Sequence, residues 1–341
     1  RPKSAFIAEF FGEINILEGI VKEGSVSTIL GTFNCSQRFN NKKVKIVVRD
    51  EAIKLFSELD GFEVSFIWTC KDESYYDFKI DNFEDLANKL DANFFYSSRI
   101  SEFESFAEAD VVVSINFINI IPESFIDKFK FGVINAHAGD LPRYRGNACP
   151  NWAILNDESE VVLSFHKMDK GLDSGDVIRK ETFKLGEDTY IGEVYDWLYQ
   201  VIPNGFVESV RLLLRGNTGE KQKGKPLRTF PRKPEDSRII FHNDLDRVYR
   251  LIRASSKPFS GAYAFLNNTD TKVTIFRAEP CSLDYDFLAI NGQLMEKNNI
   301  DKSFVVAVNH QALRITDYSI NGKSLDVSYE IICNSMRNRL T

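Results

Sequence analysis

Between residues 43 and 137 the chain alternates short apolar runs with stretches of helical periodicity, and this alternation constrains the fold more than any other feature of the sequence. "KVKIVV" (43–48), "FEVSFIW" (62–68), "NFFYS" (93–97), "ADVVVSINF" (109–117) and "FGVINAH" (131–137) read as strands. Between them "EAIKLFSEL" (51–59), "FEDLANKLD" (83–91) and "IPESFIDKF" (121–129) read as helices. Pro122 falls near a first helical turn, where its missing N–H does no harm. "ADVVVSINF" is almost continuously apolar, as expected of a strand covered on both faces. Strands joined by helices of about ten residues imply crossover connections, so the expected fold class is α/β with a mostly parallel sheet. In open sheets of this kind ligands collect beyond the carboxyl ends of the strands. Asn119, Asn135 and His137 all fall there.

Further on, "NWAILNDE" (151–158) reads as a short helix, "VVLSFHKM" (161–168) as a strand, and 189–216 as one long helix ending at Gly216. Residues 215–233, "RGNTGEKQKGKPLRTFPRK", hold seven Lys or Arg against one Glu. Gly and Pro within that run suggest a solvated basic linker rather than an element. Beyond it, one helical segment, "NDLDRVYRLIRAS" (243–255), precedes short strands punctuated by Asn, Gly and Asp, the pattern of a small barrel or sandwich. The expected organisation is an extension (1–42), an α/β domain (43–214), a linker (215–233) and a β-rich carboxyl-terminal domain (234–341). A length of 341 residues, more than one core comfortably serves, agrees with two domains. Within 1–42 the apolar spacing allows either a packing helix or a hairpin.

Composition excludes several classes. No apolar run approaches the length of about eighteen residues needed to cross a bilayer, and no secretory pattern is visible, so a soluble, cytoplasmic protein is expected. The formal charge of −6 argues against a dedicated polyanion binder. Cys35, Cys70, Cys149, Cys281 and Cys333 are widely spaced, which indicates neither zinc nor a disulfide framework. Cys149 lies near the Asn135–His137 pair, but without a His or acid beside it in sequence it reads as a structural thiol.

An isolated His at a strand end is more often a satisfied core residue than a working one. Three features favour chemistry for His137. Asn135 lies two residues away and shares its face of the strand. The turn-rich segment "MDKGLDSGD" (168–176) brings Asp173 or Asp176 to the sheet edge. A carboxylate beside an imidazole favours the imidazolium and raises its pKa. Such a trio suits acyl transfer, in which an oxyanion needs donors and a departing amine needs a proton. A Gly-x-Ser-x-Gly elbow, a Walker loop and His-Glu-x-x-His are all absent from the sequence. His166, alternating with apolar neighbours, reads as structural.

"INAHAGDLPRYRGNACPNWAILN" followed by "SFHKMDKGLDSGDVI" resembles the 10-formyltetrahydrofolate-dependent formyltransferases, which act on methionyl-tRNA, on glycinamide ribonucleotide or on nucleotide-linked amino sugars. The family pattern is Asn-x-His, Leu-Pro-x-Tyr/Trp-x-Gly and a later Leu-Asp-x-Gly. Here Asp173 stands thirty-six positions after His137, as in the family. The resemblance implies a Rossmann-like catalytic domain and an OB-like, barrel-like second domain. It implies that Asn135 and His137 stabilise the tetrahedral intermediate, that His137 protonates the leaving N10, and that Asp173 keeps His137 charged and relays the proton of the amine. By the same comparison the folate lies against Asn119, Ile120 and Ile121, facing Asp169, Lys170 and Gly171. Asn147 stands where a relative has an Arg, and Gly139-Asp140 where many have Ser-Leu.

Two acceptor amines compete within that resemblance. "RDEA" after the first strand lacks the long basic insertion of the tRNA enzymes, and residues 234–341 hold 13 Lys or Arg against 13 Asp or Glu. A nucleotide-linked amino sugar is therefore expected, with Tyr144, Arg145, Trp152 and Tyr190 as candidate contacts. On this reading no metal, membrane or nucleic acid takes part, and a homodimer is compatible. A hydrolase releasing formate from the same folate would use the same trio with water in place of the amine. Such enzymes carry an amino-terminal regulatory domain for which residues 1–42 are short.

Overall fold

The computed structural model describes residues 20–22, 25–28, 31–34, 53, 59, 61–70, 80–102, 109–114 and 120–341. The strand expected at 43–48, most of the helix expected at 51–59, and Asn119 lie outside the described residues. Within 1–42, strands β1 (Ile20–Lys22), β2 (Ser25–Thr28) and β3 (Gly31–Asn34) form an antiparallel meander, while residues 1–19, on which the packing-helix alternative chiefly rests, lie outside the described residues.

In the amino-terminal domain, β4 (Phe66–Thr69) pairs in parallel with β5 (Asn93–Tyr96), with helix α1 (Ile80–Lys89) between them in the chain. β6 (Val112–Ser114) pairs in parallel with β7 (Val133–His137), with the short α2 (Glu123–Ile126) between them in the chain. Beyond β7 the sheet turns antiparallel, through β9 (Glu160–Lys167) to β10 (Val177–Lys184), in the order β10-β9-β7-β6. The loop 168–176 is too short for a parallel crossover, which takes about a dozen residues, so β10 must return beside β9. The sequence pattern conceals β10: only Ile178 is buried along it, and charged residues fill most of the rest.

β9 is the central strand, buried without interruption from Val161 to His166. Helix α4 (Ile191–Leu214) lies over it, and Gly205 makes the approach possible. A Cβ there would stand 2.0 Å from Phe165 Cζ. Phe165 in turn packs edge-on against Phe206, ring centroids 5.3 Å apart, and is completely buried. The next residue along the strand, His166, is thereby fixed in depth and direction.

The carboxyl-terminal domain holds α5 (Leu245–Ser255), α6 (Leu325–Cys333) and an antiparallel sheet. Its strands β12 (Ala262–Phe265), β13 (Lys272–Cys281), β14 (Leu294–Lys297), β15 (Phe304–Val308) and β16 (Gln311–Ile320) follow the order β12-β13-β16-β15-β14. Two bridges, Leu266 with Leu340 and Gln293 with Arg339, lay the carboxyl-terminal residues across both edge strands. The gap is thereby closed in barrel fashion, which removes exposed edges. β15 is buried at every position.

The segment expected as a solvated linker is pinned to the amino-terminal domain. β11 (Arg228–Thr229) pairs in parallel with β8 (Arg145–Gly146), and Glu220 bridges Val177. Most of its residues are exposed, as in a solvated run, and the backbone pairs fix its course along the domain.

Candidate active site

Asn135 and His137 sit two residues apart at the carboxyl end of β7, where the pleat puts both side chains on one face. Antiparallel register sets His166 of β9 directly opposite Asn135. The loop 168–176 then brings Asp173 against both imidazoles. Asp173 Oδ2 lies 3.6 Å from His137 Nδ1 and Oδ1 lies 3.7 Å from His166 Nε2. Four polar side chains from two strands and one loop therefore converge on one point. Asp176, the alternative acid, is half-buried at the base of β10, and its backbone carbonyl accepts from Lys167 N at 2.9 Å.

Asp173 is held from several sides. Its Oδ2 accepts the Gly146 backbone N–H at 2.9 Å, and Gln222 Nε2 donates to the carbonyls of Asp173 and Gly175, each at 2.8 Å. Gln222 Oε1 accepts from Arg145 at 2.6 Å, which ties the basic segment to the loop. Asp173 itself adopts φ +50°, a left-handed conformation that a non-glycine residue occupies at some cost.

His137 donates from Nε2 to the Tyr144 carbonyl at 2.6 Å. Gly139 makes room for that contact, since a Cβ there would stand 2.4 Å from the Tyr144 oxygen and 2.7 Å from His137 Nε2. Cys149, starting helix α3 (Cys149–Leu155), places its sulfur 3.0 Å from the same carbonyl and 3.7 Å from Nε2. Burial opposes a charge on His137, but the Cys149 sulfur, the Asp173 carboxylate and the Tyr144 carbonyl outweigh it, and the imidazole is raised from 6.5 to about 9. His166 moves the other way. Burial and the neighbouring His137 charge lower it from 6.5 to about 4, so it is neutral beside a charged partner.

The remaining candidate positions divide. Ile120 is 83% exposed, and Lys170 and Gly171 are exposed at the loop tip next to Leu172. Ile121 is 2% exposed and packs in a cluster with Phe125 and Trp68, so its side chain supports the wall rather than lining a crevice. Asp169 is turned into its own loop, accepting from Gly171 N at 2.9 Å and Ser174 Oγ at 2.6 Å. Tyr144 is buried with its hydroxyl on Glu158 at 2.6 Å, and it meets His137 through its backbone. Trp152 is half-buried and donates to the Phe230 carbonyl at 2.9 Å.

Tyr190 is a correction. It belongs to the core of the carboxyl-terminal domain and donates to the Ala278 carbonyl at 2.7 Å, because it precedes α4 where that helix meets the second domain. Three contributors were not expected: His166, Gln222 and the Cys149 thiol. The one available signal was position, since His166 lies next to the end of β9, seven residues before Asp173.

A cavity of about 200 Å³ lies beside the turn 138–144, lined among others by Asp140, Arg143, Tyr144, Cys149 and Glu158. Pockets for drug-sized ligands run to roughly 300–1,000 Å³, so this space suits a fragment. Ile120, Lys170 and Leu172 are exposed and do not line it. Among the described residues, no group of three or more His, Cys, Asp and Glu side chains is arranged to hold a metal ion, and no helix is long and apolar enough to cross a membrane.

Comparison with known proteins agrees with this arrangement. Residues 75–210 match the formyl transferase family model, and residues 232–331 match that of the formyl transferase carboxyl-terminal domain. The methionyl-tRNA formyltransferase of Citrifermentans bemidjiense is 34% identical over 175 residues, covering 51% of this chain and 54% of that protein. That of Geobacter metallireducens is 30% identical over 217 residues, covering 63% and 67%. The chain spans about half the length of the first relatives it matches. The fold is also that of WlaRD, a sugar 3N-formyl transferase crystallised in the presence of dTDP and 5-N-formyl-THF, with a TM-score of 0.58 at 17% identity over 84% of this chain and 100% of that one. With two family models matched in order and the convergent Asn135, His137 and Asp173 in place, the chain belongs to the formyl transferase family.

Proposed function

We propose that the protein transfers a formyl group from 10-formyltetrahydrofolate to the amine of a nucleotide-linked amino sugar. The observation that carries this reading is the convergence of Asn135, His137 and Asp173 with His137 raised to about 9. At neutral pH the site then offers a charged acid, an amide donor and a carboxylate base side by side. As the amine attacks the formyl carbon, the oxyanion accepts from Asn135 Nδ2–H and from His137. The C–N10 bond breaks as N10 takes a proton from His137, and the proton shed by the amine passes to Asp173. His137 Nε2–H is committed to Tyr144, whereas Nδ1–H has only Asp173, 3.6 Å away. Nδ1 is therefore the nitrogen free to serve the substrate. On this reading folate contacts fall to the exposed Ile120, Lys170 and Gly171, and acceptor contacts to Arg145 and Trp152.

The even charge of residues 234–341 supports a small acceptor over a tRNA arm. A second reading has its own support. Lys221, Lys223, Lys225 and Arg228 are exposed on the segment pinned beside Asp173, and the sequence relatives are methionyl-tRNA formyltransferases. Cations there suit phosphates of either acceptor. Release of tetrahydrofolate from 10-formyltetrahydrofolate should be followed with a panel of nucleotide amino sugars, with charged initiator tRNA, and with no acceptor. Stimulation by one sugar supports the proposal, and better acceptance of the tRNA replaces the acceptor. Turnover indifferent to every amine replaces transfer with hydrolysis.

A further inference from the structure

We infer that His166 is a positioning residue that fixes the amide of Asn135 with its N–H groups toward the reacting atoms. The inference rests on the transfer reading for its catalytic consequence, although its structural content stands alone. His166 Nδ1 lies 2.8 Å from the Lys167 carbonyl. A carbonyl oxygen only accepts, so Nδ1 carries a proton. The ring is buried, 1% exposed, and faces His137 edge-on with centroids 6.2 Å apart. With His137 as imidazolium, a second charge there is opposed, and His166 stays neutral. Its Nε2 is consequently a bare lone pair.

Asn135 Nδ2 approaches that lone pair at 3.3 Å. Nitrogen facing a bare nitrogen must donate, which decides which way round the amide sits. One N–H goes to His166 and the other remains for the oxyanion. The flipped amide would set Oδ1 against the His166 lone pair and turn the NH2 group away, taking a donor from the place where negative charge develops. His166 thus prevents an inactive rotamer that costs nothing sterically.

The same lone pair faces Asp173 Oδ1 at 3.7 Å, acceptor against acceptor. The groups around His166 are then accounted for: His137 and Asn135 from β7, Asp173 and Asp169 from the loop, and its own Lys167 carbonyl.

The test combines two variants with one measurement free of substrate. His166→Leu keeps the volume and removes the acceptor, and His166→Gln restores an acceptor near the Nε2 position. Loss of one oxyanion donor costs roughly 10²–10³-fold in kcat, and a donor left free to flip should cost less, about 10-fold to 100-fold, with the KM for 10-formyltetrahydrofolate unchanged. His166→Gln should recover most of that kcat. A purely packing role would instead move the melting temperature of both variants and leave kcat in the folded fraction alone. In 15N-histidine-labelled protein, His166 should show a protonated Nδ1 and an unprotonated Nε2. The opposite tautomer, or full kcat in a folded His166→Leu, overturns the inference. Absence of transfer by the wild type, with the expected tautomer present, overturns the functional reading and leaves the positioning intact.

Discussion

The two halves of the site are built in different ways. Asn135, His137 and His166 stand on adjacent strands whose register is set by ladder hydrogen bonds and by a buried core on both faces of β9. Asp173 stands on a loop whose shape is set by a few polar contacts, from Gly146 and from Gln222 on a segment nearly fifty residues downstream. The strand half inherits its precision from the stability of the whole domain, whereas the loop half depends on side chains that contribute little to folding. Perturbations should therefore separate: those under the strands cost stability and activity together, and those on the loop cost activity alone.

Phe165→Ala should test the strand half most severely. The ring is fully buried against Phe206 and Gly205, and removing such a side chain costs about 3–5 kcal/mol. Chemical denaturation should show that loss. Residual folded protein should also turn over more slowly, since His166 loses its support. A stable variant with reduced activity would show that β9 is held by something other than the α4 contact.

Asp173→Asn should do the reverse. The residue lies on a polar loop, so the fold should hold with only a modest fall in melting temperature from the lost His137 pairing, while turnover falls by tens to thousands of fold, as for lost acid–base function. Near-normal turnover would mean that the proton relay runs elsewhere. Gln222→Ala is the milder version, removing the clamp and leaving the carboxylate. About a tenfold loss in kcat is expected, on the order of 1.4 kcal/mol. It should come with faster amide exchange confined to 168–176. Exchange that spreads into β10 would show that loop and strand are not separable.

The same contrast explains which parts could be read from the sequence. Asn135 and His137 were legible because a period of two and a strand end are local properties. Asp173 was legible only through a spacing shared with a family, since its contact to His137 bridges a loop whose path is not written in its own residues. His166 was missed because its partner is chosen by cross-strand register, which no local pattern encodes, so an alternating His reads as core. Tyr190 failed for a related reason: an aromatic before a helix looks like a site wall until the second domain is docked against it. Gln222 was hidden in a basic run whose composition signals solvent, although two backbone pairings hold it in place.

The remaining prediction concerns pH, and it sets the two imidazoles against each other. In the unfolded chain both titrate near 6.5, while in the folded protein His137 titrates near 9 and His166 near 4. Between about 4 and 6.5 the unfolded chain binds a proton at His166 that the folded protein refuses, so stability from this group rises with pH. Between 6.5 and about 9 the folded protein keeps a proton at His137 that the unfolded chain has lost, so stability from that group falls with pH. The two together place a maximum near 6.5 in the melting temperature. His137→Asn should flatten the alkaline side directly. It should also soften the acid side, because the His137 charge is one of the two causes depressing His166. His166→Gln should flatten the acid side alone. A wild-type melting temperature that keeps rising from 6.5 to 9 would mean that His137 is neutral in the folded protein, and with it the acid that the strand half supplies to the reaction would be lost.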